Sequence, residues 1–149
     1  MTADQSLTLE IVCKAPPSLV WKALTDPSSM DAWYFKTTGF KPEIGNEFSF
    51  SGKGSDGTEY VHECKILELV SQKKISYSWK YRGLKGYSIL SFEIIPEGKQ
   101  TQLILKHEGL NSFGENGADF SVSSFTQGWN YFMHTALPKW LAEQETRDL

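Results

Sequence analysis

The chain's three histidines, two cysteines and several tyrosines are its candidates for chemistry. His62 and Cys64 stand two residues apart, and His107 lies in a later segment with the same alternating pattern. By type, these three are zinc ligands. Tyr60, His62, Tyr77 and His107 form a second set, because imidazoles and phenols brought to one place can move protons near neutral pH. Nucleophilic chemistry finds little support. No serine stands in a Gly-x-Ser-x-Gly turn, and neither Cys13 nor Cys64 has neighbours that would lower a thiol pKa. Gly52-Lys53-Gly54 falls in a hairpin turn and precedes no helix, so it is no phosphate cradle.

The elements that must position these groups read mainly as strands. Leu7, Leu9, Ile11 and Cys13 alternate with Thr8, Glu10, Val12 and Lys14, which predicts a strand with one buried face. Ala15-Pro16-Pro17 stops it and opens a short helix over 17–25, since proline is tolerated in a first turn. Asp26-Pro27 ends that helix, and 28–33 forms another helical turn capped by Ser28 or Ser29. An irregular stretch follows through Gly45. Five strands come next. Phe48 and Phe50 share one face of the first, and Tyr60, His62, Cys64 and Ile66 share one face of the second. Ile75, Tyr77, Trp79 and Tyr81 alternate with Lys74, Ser76, Ser78 and Lys80. Leu90, Phe92 and Ile94 make the fourth face, and Leu103, Leu105 and His107 the fifth. Turn signals at 52–57, 71–73, 82–86 and 96–100 give short links, hence an antiparallel meander.

The long segment 123–143 organises the rest. Phe125, Trp129, Phe132, Met133, Ala136, Leu137, Trp140 and Leu141 recur with helical spacing on one face, opposite Gln127, Asn130, His134 and Lys139. Burying such a stripe yields ~1.5–3 kcal/mol for each large side chain, so a concave partner must cover it. Pro138 cannot bond the carbonyl of His134, which predicts a kink near 135–137. The residues between strands and helix, 109–122, make a long polar connection with three glycines and with Phe113 and Phe120. These are expected to form a mobile gate beside Trp129 and Phe132.

The fold class is therefore α+β: six curved antiparallel strands wrapped around one long helix, with two short helices after the first strand. In that order the strands of His62 and His107 lie three positions apart, ~14 Å at ~4.8 Å per strand, so the zinc reading fails and no metal is expected. Length favours one domain over 1–149. Net charge is −3, which leaves no electrostatic footprint for nucleic acid. No apolar run approaches the ~20 residues of a membrane helix, and Met1–Ser6 is no signal peptide. The two isolated cysteines read as reduced, buried thiols and the protein as cytoplasmic. Five Trp, six Tyr and nine Phe exceed what a plain core needs and suggest a lined cavity.

Ala15-Pro16-Pro17-Ser18-Leu19-Val20-Trp21 through Asp31-Ala32-Trp33 resembles the opening motif of the START-like, SRPBCC superfamily, in its branch of activator-of-heat-shock-protein-90-ATPase homologues. The stretches 64–69 and 75–79 resemble its central hairpin, 101–109 its last strand, and Gly128-Trp129 part of its final helix. The resemblance implies the helix-grip fold and a hydrophobic cavity between sheet and long helix. Trp33, Phe35, Phe48, Phe50, Trp79 and Phe92 would line it from one side. Phe113 and Phe120 would close it, Trp129, Phe132 and Met133 would roof it, and Tyr60, His62, Tyr77 and His107 would be its polar groups. The extra domain and activating segment of the eukaryotic co-chaperones have no counterpart here. The function expected is binding of a small hydrophobic or aromatic ligand, with no catalytic residue and no cofactor. The alternatives are a single-domain module interacting with heat-shock protein 90 and, third, a cyclase- or aromatase-like enzyme.

Overall fold

The computed structural model describes residues 6–53, 57–117 and 120–147. Its strands are β1 (Ser6–Cys13), β2 (Glu47–Lys53), β3 (Glu59–Val70), β4 (Lys74–Tyr81), β5 (Ser88–Glu97) and β6 (Gln100–Glu108). They form one antiparallel sheet in the order β1-β6-β5-β4-β3-β2. β2 to β6 are the expected meander, and β1 joins it by pairing with β6. Two helices, α1 (Pro17–Thr25) and α2 (Pro27–Trp33), fill the crossing from β1 to the opposite edge.

The inward residues read from the alternation are buried, and in β4 the intervening Ser76 and Ser78 are buried as well. Phe48 and Phe50, then His62, Cys64 and Ile66, then Ile75, Tyr77, Trp79 and Tyr81 all face the interior. Register sets them in rows. Phe48, Cys64, Trp79 and Ser88 are cross-strand neighbours, and so are Ile66, Tyr77, Leu90, His107 and Leu7. A register shift between Ile66 and Glu68 marks a bulge in β3, the device that bends a strand.

The long helix runs as α3 (Val122–Tyr131), a π-helical turn (Phe132–Ala136) and α4 (Leu137–Arg147). Ser121 caps it, its side chain accepting from the Ser124 N–H at 3.2 Å. Trp129, Met133, Leu137, Trp140 and Leu141 of its apolar stripe are buried. Pro138 leaves its mark as that wide turn. The Leu137 N–H bonds the carbonyl of Phe132, five residues back, so the helix absorbs the proline by widening and stays one continuous helix.

Two expectations need correction. The cap of α2 is Asp26, whose carboxylate accepts from the Ser29 N–H (3.1 Å) and hydroxyl (2.8 Å). Ser28 and Ser29 are the wrong side of the helix start. The connection after β6 is no loose gate: Leu110–Asn116 is a 3-10 helix started by Gly109 at φ +85°. The Ser112 hydroxyl accepts from the Tyr87 N–H at 2.9 Å, and the Asn116 amide donates to the Lys85 carbonyl at 2.7 Å. Phe113 is wholly buried and Phe120 is 3% exposed. Neither lies beside Trp129 or Phe132. Phe113 packs on Tyr81 and Phe125, and Phe120 on Tyr60 and Tyr81. Gly86 lets Phe113 in: a Cβ there would stand 2.3 Å from its ring. Ala118 and Asp119 lie outside the described residues.

Phe113 is thus core, and Phe113→Ala is expected to destabilise the protein by about 3–5 kcal/mol, as large-to-small core changes do. Urea unfolding of the two proteins checks this. A loss below about 1 kcal/mol would return Phe113 to a rim.

Candidate functional site

Beneath the long helix the interior is mostly filled with rings. Phe35, from the irregular segment after α2, stacks on Phe50 at 4.3 Å, and Phe50 stacks on His62 at 4.4 Å. Trp129 enters from the helix against Trp79 (5.6 Å), Phe132 (5.9 Å) and Tyr34 (6.0 Å). Two small spaces lie among the described residues there. The first, about 160 Å³, is bounded by Phe35, His62, Trp79, Tyr81, Phe132 and the helix residues Ser124, Phe125, Gly128 and Trp129. The second, about 170 Å³, is bounded by Phe35, Gly52, Lys53, Tyr60, His62, Tyr81 and Phe120. Phe35, His62 and Tyr81 are the wall they share.

Of the residues expected to line a cavity, Phe35, Tyr60, His62, Trp79, Phe120, Trp129 and Phe132 border these spaces. Trp33, Phe48, Phe50, Tyr77, Phe92, His107, Phe113 and Met133 border neither and are buried. Trp33 donates its indole N–H to the carbonyl of Ala23 at 2.8 Å. The hydroxyls of Tyr77 and Tyr34 bond each other at 2.7 Å, and burial, before any charge effect, raises both phenol pKa values. Tyr81, Phe125 and Gly128 went unnoticed as site residues. Tyr81 had its signal, the same parity as Tyr77 and Trp79.

The histidines divide sharply. The Trp129 indole N–H donates to His107 Nδ1 at 3.1 Å. An indole nitrogen only donates, so Nδ1 accepts and Nε2 carries the proton, which it gives to Ser88 Oγ at 2.7 Å. Both nitrogens are engaged and the ring is fully buried. Burial, with a smaller contribution from His62, lowers its pKa to about 3. His62 donates from Nδ1 to the carbonyl of Phe50 at 3.2 Å, which leaves Nε2 an acceptor. Burial lowers its pKa to about 4, against the opposing pull of the Phe50 and Tyr60 carbonyls.

Both imidazoles pack on Trp79, at 5.0 and 5.1 Å, so they are nearer each other than a flat sheet would set them. Among the described residues no three His, Cys, Asp or Glu side chains group as metal ligands. The acid–base set does not assemble either: only Tyr60 and His62 of the four reach the open spaces, while Tyr77 and His107 are bonded elsewhere. Cys13 and Cys64 are free and buried, and burial pushes the Cys13 thiol up to about 11.

The larger concavity, about 580 Å³, lies outside. It runs over the face of the sheet away from the helix, among Glu47, Glu63, Lys65, Lys80, Arg82 and Tyr87. Arg82 is paired there with Glu63 at 3.3 Å. Among the described residues no helix is long and apolar enough to cross a membrane.

A sheet folded over one helix, with aromatic walls and neutral polar groups between, defines the helix-grip class. Residues 14–142 match the family model described as activator of Hsp90 ATPase homolog 1-like protein, and the chain belongs to that family. Solved structures share the fold. Protein MLL2253 of Mesorhizobium loti is 24% identical, with TM-score 0.74, over 93% of this chain and 98% of its own. CalU16 of Micromonospora echinospora is 22% identical, with TM-score 0.74, over 97% and 80%. DynU16, a putative protein in the dynemicin biosynthetic locus, is 16% identical, with TM-score 0.76, over 94% of this chain and 48% of its own. No curated protein matches the sequence significantly.

The lowered histidine pKa values have a consequence for stability. Unfolded, both groups titrate near ~6.5; folded, they titrate near 4 and 3. Between these values the unfolded chain binds more protons, so stability is fully present above about pH 7 and falls as pH drops. The slope is up to ~1.4 kcal/mol per pH unit for each histidine. Urea unfolding from about pH 7 to about pH 5 is expected to show this decline. A flat profile would mean the imidazoles are not buried and neutral.

Proposed function

We propose that this protein binds a small aromatic or apolar molecule beneath the long helix, without catalysis. The observation that carries the reading is Gly128. A glycine inside a helix costs ~0.5–1 kcal/mol relative to alanine. Here it is exposed at the open side of the first space, where a Cβ would meet nothing within 4 Å, so it leaves that mouth clear. Phe35, Trp79, Trp129 and Phe132 supply apolar walls around that space, and His62 and Tyr81 are its neutral polar points. This is the composition of small-ligand sites. The space is open on one side, and its volume of about 160 Å³ suits one ring rather than a drug-sized ligand. A protein of this fold is a putative protein in the dynemicin biosynthetic locus, which is in keeping with a small organic ligand here.

The family description favours a second reading, docking on heat-shock protein 90, for which the charged outer groove offers a surface. One variant separates the two. In the unaltered protein, toluene is expected to shift the indole N–H resonances of Trp79 and Trp129. Gly128→Leu places a side chain over the open side of that space, so it is expected to abolish those shifts while raising thermal stability through helix propensity. Chaperone ATPase stimulation unaffected by Gly128→Leu, with no toluene response in either protein, would replace the ligand reading with the chaperone one.

A further inference from the structure

The second space carries a more specific message. We propose that it binds a neutral single-ring phenol, whose hydroxyl donates to His62 Nε2 and accepts from the Tyr81 hydroxyl. This rests on the ligand-binding reading and names the ligand's chemistry.

The hydrogen-bonding roles follow from partners already fixed. The Phe50 carbonyl can only accept, so the His62 proton sits on Nδ1 and Nε2 presents a lone pair. Tyr81 Oη accepts from the Trp79 indole N–H at 2.9 Å, which leaves its own proton to give. The two rings lie 4.6 Å apart and both border the space. An acceptor and a donor carried by two neighbouring rings are what one hydroxyl group, donor and acceptor at once, can match. Gly52 keeps the approach open on this side. A Cβ there would stand 3.0 Å from His62 Cε1 and 3.8 Å from Nε2. Phe35, Tyr60 and Phe120 supply the aromatic walls for the ring, and about 170 Å³ is room for one.

The same features select against other ligands. A carboxylate would bring its charge against the Nε2 lone pair and the aromatic walls, at a desolvation cost. Lys53 borders the space but is exposed, so its ammonium stays hydrated and offsets little of that cost. A hydrocarbon ring fits by shape but leaves the acceptor and the donor unmatched.

Phenol, toluene and benzoate are the probes, titrated into the intact protein by calorimetry. A cavity without polar groups prefers toluene, because a hydroxyl leaves water unpaired. Here phenol is expected to bind about tenfold more tightly than toluene, the effect of a hydrogen bond of ordinary strength, and benzoate not at all. His62→Phe keeps the stacked ring and is expected to reverse the order to toluene over phenol. In the unaltered protein, the ¹⁵N resonance of His62 Nε2 is expected to move with phenol and not with toluene, a readout independent of whether the variant folds. Toluene binding as tightly as phenol, benzoate binding, or a phenol preference that survives His62→Phe would overturn this proposal and leave the ligand-binding reading standing. Failure of all three probes to bind would overturn both.

Discussion

The hydrogen bond from the Trp129 indole to His107 holds this structure in its present form. It is buried, it joins helix to sheet, and it dictates a chain of further bonds. His107, its Nδ1 taken, must give its other proton to Ser88. Ser88 Oγ then donates to the Trp79 carbonyl at 3.3 Å. One indole thereby ties α3 to β6, β5 and β4 in sequence. Removing either end would leave a buried polar group unpaired, which costs more than the bond itself contributes. The aromatic stripe of the long helix supplies the burial energy, and this bond sets where along the sheet the helix sits.

With the helix fixed there, the interior beneath it is decided. Trp129 is buried over the sheet, and Gly128, exposed at the open side of the first space, leaves its mouth clear. Phe35 and Phe50 then occupy much of the space beneath the helix, and the remainder is ring-sized. Polar groups in the wall are neutral because they are buried, and their tautomers are set by bonds made behind them. The interior therefore presents shape and hydrogen-bonding capacity with little charge.

Much of this was legible in the sequence, for physical reasons. Alternation at Tyr60–Ile66 and Ile75–Tyr81 has period two, and a half-buried antiparallel sheet must show that period. The stripe from Phe125 to Leu141 has helical spacing because one face had to be covered. What the sequence hid depended on neighbours distant in the chain. The Ser88–His107–Trp129 chain needs the order β4-β5-β6 and its register before it can be seen. Phe35 lies in a segment without periodicity, so its stacking on Phe50 had no local sign. Phe113 sits among glycine and polar residues that read as a loop, yet Ser112 and Asn116 tie that loop to the β4–β5 turn. Pro138 signalled an irregular helix correctly, but whether a helix kinks or widens depends on what packs against it.

The central claim is that a ring-sized, open-sided space, and not solid packing, lies between helix and sheet among Trp79, Trp129 and Phe132. Xenon binds apolar spaces of this size, and a crystal of the protein under xenon pressure would test the claim directly. The expected result is an anomalous peak among Trp79, Trp129, Phe132 and Gly128. Xenon bound elsewhere on the protein, with no density in that space, would contradict it.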